Sequence, residues 1–401
     1  MLQLNADDTF QFELLRVLGT APYNGADVGE ILALADTIEP GDFESWFRAF
    51  DGLARRVRSG VAVGDDDAQA VSVRDALFRA ASYFRAADFF LHGNASDPRI
   101  TSLWKAQTEC FDRAISLLPV AGERLVADAA DFRIPMILYR AADDGAPRPT
   151  ILMCNGYDGS QEEMLHVSGF AALARGFNVV TFEGPGQPTV RREQDLGFIG
   201  EWETVVTPVL DRCAALPDID SAKIGLLGYS FGGYLAPRAA AFEHRLAAVM
   251  CIDGLYDAYA GFTSGLPPAL MALLAAHADD EVNRSIDAAM AGSTQLRWAV
   301  EQGRWSFKSD SAFALLERTR GMSMGAIADK VTCPVLVCDA ENDRFFKGQA
   351  TQLADALGAR ATYHLFTATD GAGEHCHVGA SVLMNTVVLD WFHDLVGRSR
   401  G

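Results

Sequence analysis

The sequence lacks three features that would place it among membrane, secretory or disulfide-rich proteins. No apolar run approaches the roughly 18 uninterrupted residues that a membrane-spanning helix needs. The first residues, MLQLNADDTFQFELL, contain no basic region followed by an apolar stretch, as a secretory signal peptide would. The seven cysteines are scattered, without the paired spacing of a disulfide framework or a zinc site. We therefore predict a cytoplasmic protein without a metal site.

Basic residues are also scarce. The chain of 401 residues has 34 lysines and arginines against 53 aspartates and glutamates, which gives a net charge of −19. A field of this sign repels nucleic acid and anionic membrane surfaces, so neither is expected as a partner. Hydrophobic residues make up 49% of the sequence, which is enough for a sizeable core.

The spacing of apolar residues changes along the chain and predicts its organisation. The first part has helical spacing and almost no strand signal. Further on, short strands that are apolar throughout alternate with helical segments, which is typical of a mostly parallel sheet covered by helices on both faces. One helical stretch inside this pattern is far longer than a crossover needs, and it predicts a cap. The predicted segments are 1–121 (helical N-terminal domain), 122–257 and 331–401 (two parts of an α/β core) and 258–330 (helical cap insertion).

The segment GYSFG, residues 228–232, matches the G-x-S-x-G motif of serine nucleophiles. It follows an apolar run and precedes the helical run GGYLAPRAAAF, which is the strand–turn–helix context that the motif requires. The nucleophile of such a motif sits on a strained turn, and the helix that follows directs backbone N–H groups at a developing oxyanion. Ser230 is therefore the predicted nucleophile.

A serine hydroxyl needs a base, and the base needs an acid that orients it; both follow the nucleophile in sequence. Asp343 lies furthest beyond the strand in VLVCDAENDRF and is the predicted acid, with Asp253, after the preceding strand, as the alternative. The C-terminal loop GAGEHCHVGA offers two histidines. We favour His375 as the base because it comes first off the loop and because a helix is expected to begin near His377, the alternative.

An oxyanion hole should combine two backbone N–H groups. The first belongs to Phe231, directly after the nucleophile. The second is expected from CNGYDGS, residues 154–160, which is the loop after an earlier strand. Tyr157 is the predicted donor in that loop.

The helical N-terminal segment carries more aromatic residues than helices lying on solvent would need. Most of the rings are expected in the core, and one or two are expected to face the pocket, which would make these helices part of the site. The rings in question are Phe78, Tyr83, Phe84, Phe89 and Phe90.

With these residues in place, the chain resembles one branch of the α/β hydrolases, the group of 2,6-dihydroxypseudooxynicotine hydrolase, the fungal yellowish-green pigment hydrolases and the FrsA-like esterases. The resemblance covers nearly the whole chain, including RAASYFRAADFFL, NGYDGS, FEGPGQ, GYSFGGYLAPRAA, RWAVEQGRWSF and GAGEHCHVGA. It implies an α/β-hydrolase fold whose helical N-terminal region packs over the site and often helps to form a homodimer. It also implies Ser230, Asp343 and His375 as a catalytic triad.

Relatives in this branch cleave C–C bonds in 1,3-diketone-like or acylated aromatic substrates, or cleave esters. The leading hypothesis is therefore cofactor-free hydrolysis of a C–C bond next to a carbonyl, or of an ester, in a small hydrophobic ketide or aromatic compound. Acyl transfer or lactone formation on the same triad is an alternative. A non-catalytic binding protein on this fold is the other.

Overall fold

The computed structural model, which describes residues 3–61 and 69–397, begins with five α-helices and a 3-10 turn, Ala21–Tyr23, between the first two. Aspartate side chains precede four of them and accept hydrogen bonds from first-turn N–H groups, which fixes where these helices start. Parts of the first and last predicted segments (1–2, 62–68 and 398–401) lie outside the described residues. The helices are α1 (Asp8–Leu18), α2 (Val28–Ala35), α3 (Phe43–Ser59), α4 (Ala70–Asp88) and α5 (Pro98–Ser116).

These helices are joined by an aromatic core. The ring centroids of Phe10, Trp46 and Phe90 lie 4.9 to 5.1 Å apart. The indole N–H of Trp46 donates to the Ala86 carbonyl at 2.7 Å, so the buried ring keeps its hydrogen bond. This core continues without a break into the sheet that follows, so the N-terminal helices pack directly on the rest of the molecule.

The described residues contain an eight-stranded sheet of order β1-β2-β4-β3-β5-β6-β7-β8. Strand β2 runs antiparallel to β1 and β4, and the remaining pairs are parallel. Strands β4, β6 and β7 are buried along their whole length, as their continuous apolar sequences predict. The predicted mostly parallel sheet is confirmed. The strands are β1 (Glu123–Asp128), β2 (Arg133–Tyr139), β3 (Arg148–Cys154), β4 (Asn178–Phe182), β5 (Ile219–Tyr229), β6 (Ala248–Ile252), β7 (Val335–Ala340) and β8 (Ala361–Phe366).

From β3 onwards, helices alternate with the strands and pack against them. One helix follows β5 and contacts β5 and β6; another follows β7 and contacts β7 and β8. A π-helix, Leu165–Gly169, joins the two short helices after β3. These flanking helices are α6 (Gln161–Met164), α7 (Phe170–Ala174), α8 (Pro188–Glu193), α9 (Glu203–Ala214), α10 (Gly232–Ala240) and, after the cap, α16 (Gln349–Leu357) and α17 (Ser381–Gly397).

The long insertion between β6 and β7 forms a cap with a small core of its own. Its helices are α11 (Ala258–Thr263), α12 (Pro268–Ala275), α13 (Asp279–Met290), α14 (Thr294–Ser306) and α15 (Ala312–Thr319). Leu274, Val282, Ile286 and Leu316 belong to an apolar cluster separate from the main core. Asp257 pairs with Ser323 through a β-bridge, so the two ends of the insertion meet. The division of the chain into domains stays a prediction of the sequence.

Candidate active site

Ser230 lies on a sharp turn between β5 and α10, at the carboxyl edge of the sheet. Its φ of 60° is in the left-handed region, which residues other than glycine rarely adopt. Its backbone N–H donates to the Ile252 carbonyl at the end of β6, which holds the turn. A Cβ on Gly228 would lie 2.0 Å from the Gly232 carbonyl oxygen, so the turn requires glycine two residues before the serine. The G-x-S-x-G segment thus adopts a strained strand–turn–helix geometry.

Two hydrogen bonds connect Ser230 to the histidine and the acid predicted from the sequence. The Ser230 hydroxyl lies 2.9 Å from His375 Nε2, and His375 Nδ1 lies 3.0 Å from Asp343 Oδ2. Both partners are buried, and they come from different loops, after β7 and after β8. The structure therefore brings these three side chains together in the order hydroxyl, imidazole and carboxylate.

The surroundings favour a charged pair between Asp343 and His375. Burial alone would raise the pKa of Asp343, but the charge and hydrogen bond of His375 and the backbone N–H groups of Phe346 and Phe345 bring it below its ordinary value. Burial would lower the pKa of His375, but the Asp343 carboxylate outweighs it and raises that pKa well above the ordinary value. The Phe345 and Phe346 rings lie 4.9 and 5.6 Å from the imidazole and shield it from water.

The two alternates, Asp253 and His377, form no hydrogen bond to Ser230 in the described part of the chain. Asp253 Oδ2 accepts the Cys376 N–H at 2.8 Å and lies 3.5 Å from His375 Nδ1. His377 Nε2 lies 3.0 Å from Asp253 Oδ1, and the ring packs on Phe366 with centroids 3.9 Å apart. Asp253 and His377 thus support the loop that carries His375.

The expectation that a helix begins near His377 is wrong. His375–His377 forms a short turn, and α17 begins only at Ser381. Cys376 and His377 have φ values of 52° and 57°, so the chain reverses there in the left-handed region and cannot continue as a helix. Because of this reversal and of the hydrogen bond from the Cys376 N–H to Asp253, the side chains of His375 and His377 point in different directions.

The loop after β3 approaches the serine turn closely. A Cβ on Gly156 would lie 2.6 Å from the Phe231 nitrogen, so only glycine allows this approach. Within the described residues, the backbone N–H groups of Tyr157 and Phe231 donate no hydrogen bond. The Tyr157 hydroxyl donates to the Ala299 carbonyl of the cap at 2.6 Å, which fixes the loop beneath α14. Both N–H groups are therefore available to an oxygen atom.

Ser230 lines a cavity of about 670 Å³ that is bordered by three parts of the chain. Loops at the sheet edge form its floor, the cap forms one wall and α1 forms another. Most of the wall is apolar, with rings from Phe262, Trp298 and Phe345 among the lining residues. This volume and lining suit a small, largely apolar organic ligand.

Comparison with known proteins identifies the family. The sequence model of the alpha/beta hydrolase family matches residues 151–383, which is more than half of the chain.

The chain belongs to the alpha/beta hydrolase family.

Curated relatives cover the hydrolase from end to end. It is 32% identical to the 20-hydroxy-prefusarin hydrolase FUS2 of Gibberella moniliformis, over 98% of this chain and 97% of that protein. It is 30% identical to the hydrolase acrC of Aspergillus aculeatus, over 100% of both chains. The protein is therefore an enzyme of the hydrolase class, and the alternative of a non-catalytic binding protein is set aside.

Solved structures share the fold at lower sequence identity. The 2,6-dihydroxy-pseudo-oxynicotine hydrolase superposes with a TM-score of 0.73 at 20% identity, over 94% of this chain and 95% of that one. AbyA5 superposes with a TM-score of 0.69 at 18% identity, over 98% and 95%. The α/β-hydrolase fold predicted from the sequence is confirmed.

In this alpha/beta hydrolase, the N-terminal helices reach the cavity through α1, at Phe12, Glu13 and Arg16. None of the five rings between residues 78 and 90 lines it, so that expectation is wrong. Those rings are buried in the core instead. Phe90 packs on Phe10 of α1, and Phe89 stacks on Trp298 of the cap, with ring centroids 5.0 and 5.3 Å apart. The one sequence signal for the α1 residues is a pair of opposite charges three positions apart in the apolar run FQFELLRVL.

Arg16 is the centre of a buried group of charges that ties α1 to the sheet edge of the hydrolase. Its guanidinium binds both carboxylate oxygens of Glu163 at 2.8 Å and Asp158 at 2.9 Å. Arg85 of α4 lies 3.5 Å from Asp158. Burial opposes the charge on Glu163, but Arg16 and Arg85 outweigh it and lower the pKa of Glu163 to about 2. Burial raises the pKa of Glu13, one turn before Arg16, to about 7.

Among the described residues of the hydrolase, one cluster could offer three ligand atoms to a metal ion. Asp253, His375 and Cys376 place such atoms within 4.8 Å of one another. The His375 nitrogens already face Ser230 and Asp343, and the Cys376 thiol donates to the Ile252 carbonyl at 3.2 Å. Burial raises the pKa of Cys376 to about 11, so the thiol stays protonated and is a poor ligand. The absence of a metal site stays a prediction.

No helix in the described part of the chain has both the length and the apolarity that are needed to cross a membrane.

Proposed function

We propose that this enzyme is a serine hydrolase in which Ser230, His375 and Asp343 act as a catalytic triad. The observation that carries the proposal is the pair of hydrogen bonds, 2.9 and 3.0 Å long, that links the serine hydroxyl to the imidazole and the imidazole to a buried carboxylate. Asp343 selects the imidazole tautomer whose Nε2 accepts the serine proton and stabilises the imidazolium that results.

The first step forms an acyl-enzyme. Ser230 Oγ attacks the substrate carbonyl carbon while its proton passes to His375 Nε2. The resulting oxyanion accepts hydrogen bonds from the backbone N–H groups of Tyr157 and Phe231. The leaving group then departs with the bonding electron pair and takes the proton from His375. Water, deprotonated by His375, hydrolyses the acyl-serine and restores the enzyme.

The proposed substrate is a hydrophobic ketide or aromatic compound in which an ester, or a C–C bond next to a carbonyl, is cleaved. The apolar cavity wall supports a hydrophobic compound. A C–C cleavage releases a carbanion, so the leaving fragment needs an adjacent carbonyl or hydroxyaryl group that holds the charge as an enolate or phenolate. The similarity to 20-hydroxy-prefusarin hydrolase supports hydrolysis but not this choice between bonds.

Acyl transfer or lactone formation is a second candidate. The cap and α1 line the cavity together with the serine, so a hydroxyl of a substrate bound there can reach the acyl-serine. The triad steps are the same, except that this hydroxyl replaces water in the second half of the reaction. Turnover in isotopically labelled water separates the two candidates, because only hydrolysis places the label in the released acid.

Labelling with a fluorophosphonate tests the nucleophile. We expect Ser230→Ala to abolish labelling and to lower ester turnover by about 10⁴-fold or more, since the attacking oxygen is gone. The matched control is Ser264→Ala, which removes a serine of the cavity wall that has no histidine partner. Labelling that survives in Ser230→Ala, or that disappears in Ser264→Ala, contradicts the assignment.

A panel of p-nitrophenyl esters and aryl 1,3-diketones then identifies the bond that is cleaved. The homodimer and the cytoplasmic location stay predictions of the sequence. Sedimentation velocity of the purified enzyme tests the first of these.

A further inference from the structure

The cavity wall formed by α1 includes the carboxyl group of Glu13, which is only weakly paired with the charges around it. Glu13 is only 3% exposed, and it lines the same cavity as Ser230. Its one hydrogen bond within the described residues comes from Arg16 Nη1 to Oε2 at 3.5 Å, the outer limit for such a bond. Its other oxygen, Oε1, has no hydrogen-bond partner in this part of the chain.

Arg16 pairs only weakly with Glu13 because its nitrogens are engaged by two other carboxylates. Nε and Nη2 bind Glu163 at 2.8 Å, and Nη1 binds Asp158 at 2.9 Å. Three carboxyl groups thus share two guanidinium groups, those of Arg16 and Arg85. Glu13 is the carboxyl group held least closely, and its pKa is raised to about 7, chiefly by burial. Near neutral pH a large part of Glu13 therefore carries a proton and can act as a hydrogen-bond donor.

We propose that Glu13 is a substrate-recognition residue whose protonated carboxyl group donates a hydrogen bond to a ketone or enol oxygen remote from the carbonyl that Ser230 attacks. The lining of this cavity is mostly apolar, with Phe12, Leu296 and Trp298 among its members. A second oxygen of a bound substrate that lies beside Glu13 would lose hydrogen bonds to water, and the protonated carboxyl group can replace one of them. The inference rests on the proposed function. It limits the expected substrates of the enzyme to compounds that carry a second oxygenated carbon besides the attacked carbonyl, such as oxo-acyl esters and dicarbonyls.

The charges in the cavity favour a neutral oxygen over a cationic amine as the partner of Glu13. Arg344 also lines the cavity, and its guanidinium forms no ion pair with a described residue. Its positive charge disfavours an ammonium group in the same space and is compatible with the oxygen of a ketone or an enol.

Pairs of p-nitrophenyl esters test the proposal. The two esters of a pair have the same acyl chain, with either a methylene group or a ketone at its third, fifth or seventh carbon. The readout is the ratio of kcat/KM for the keto ester to that for the unsubstituted ester. We expect wild type to prefer the keto ester at one position at least. We expect Glu13→Leu to reduce that preference about tenfold, the usual effect of losing one buried hydrogen bond, and Glu13→Gln, which keeps a donor, to retain it.

The pH dependence of the same ratio gives a second readout. In wild type the keto preference should decline as the pH rises through about 7, because ionised Glu13 can no longer donate. In Glu13→Gln the ratio should stay flat. Other groups affect both esters alike and cancel in the ratio; those that face Glu13 or line the cavity are Arg16, Arg85, Asp158, Glu163, Arg344 and His375.

Three outcomes overturn the proposal. The first is that wild type shows no keto preference, and the second is that Glu13→Leu keeps the wild-type preference. The third is that Glu13→Gln and Glu13→Leu lose the preference equally, which would assign recognition to the ionised carboxylate. Glu201→Leu, which removes an exposed glutamate outside the cavity, is the matched control and should keep the wild-type ratio. Turnover of either ester by Ser230→Ala would refute the proposed function instead, so the two failures are distinguishable.

Discussion

The edge of the sheet and the helical cover of the cavity are built in different ways. The sheet edge supplies Ser230, Asp343 and His375 from three loops, each placed by the strand before it. The cover supplies its residues from α1 and from the cap, which are distant in sequence and meet only in the folded chain. The difference suggests a division of tasks in which the sheet edge performs the chemistry and the helices choose the substrate.

The largest effects should follow changes at the sheet edge, and the two histidines of one loop give the sharpest contrast. We expect His375→Gln to lower kcat/KM for p-nitrophenyl butyrate by about 10⁴-fold, because the serine loses its base. We expect His377→Gln to lower it by at most about tenfold, or about 1.4 kcal/mol, because His377 packs on Phe366 and does not face Ser230. A dead His377→Gln beside an active His375→Gln would reverse the assignment.

Replacing the two carboxylates near His375 should give a smaller difference in activity than replacing the two histidines. We expect Asp343→Asn to cost roughly 10²–10⁴ in kcat, since it removes the charge that stabilises the imidazolium. Asp253→Asn keeps an oxygen that can accept the Cys376 N–H, so its loss should be smaller. The acid limb of the pH profile gives a second measurement. Asp343 raises the pKa of His375, and the neutral imidazole is the active form, so kcat/KM should rise with pH through this pKa. Asp343→Asn should move that inflection to lower pH.

Suppose instead that Asp253→Asn lowered kcat more than Asp343→Asn did, and that Asp253→Asn was the variant that moved the inflection to lower pH. The acid would then be Asp253, in the loop after β6.

Changes in the helical cover should affect stability or substrate choice more than the chemical step. We expect Arg16→Met to lower the free energy of unfolding by about 3–5 kcal/mol, because it leaves Glu163 and Asp158, whose side chains are only 10% and 14% exposed, without their main counter-charge. Urea unfolding measures this loss. The matched control is Arg48→Met, whose exposed side chain lies 3.7 Å from Asp42 and should cost at most about 1 kcal/mol. Equal losses in the two variants would show that the buried charges do not hold α1 in place.

The same comparison explains how much the sequence could predict. The strand–turn–helix pattern around Ser230 and the loop positions of Asp343 and His375 depend on short segments, so the sequence indicates all three side chains that the structure brings together. The alternation of apolar strands and helices likewise predicts the sheet. The short turn at His375–His377 was not predictable, because left-handed residues other than glycine leave no pattern in the sequence.

The residues of the helical cover were out of reach for another reason. Arg16 and Glu163 are separated by 147 positions in the chain, and no local pattern pairs them. The aromatic residues of α4 and of the two positions after it were a misleading signal, since a large buried ring looks the same in a sequence whether it faces a core or a ligand. Only the packing of α1 against the sheet edge determines that Phe12 and Glu13 reach the cavity.

The separate core of the cap has a consequence for how this enzyme can be altered. The cap fills its own apolar cluster, and its two ends are joined at the bridge between Asp257 and Ser323. An insertion whose ends meet can be exchanged for another of different length without forcing the flanking strands apart, as loops with adjacent ends tolerate inserted domains. The cap is therefore the segment to exchange in chimeric proteins. The same sheet and its loops would be combined with different caps, and each chimera would accept a different range of substrates.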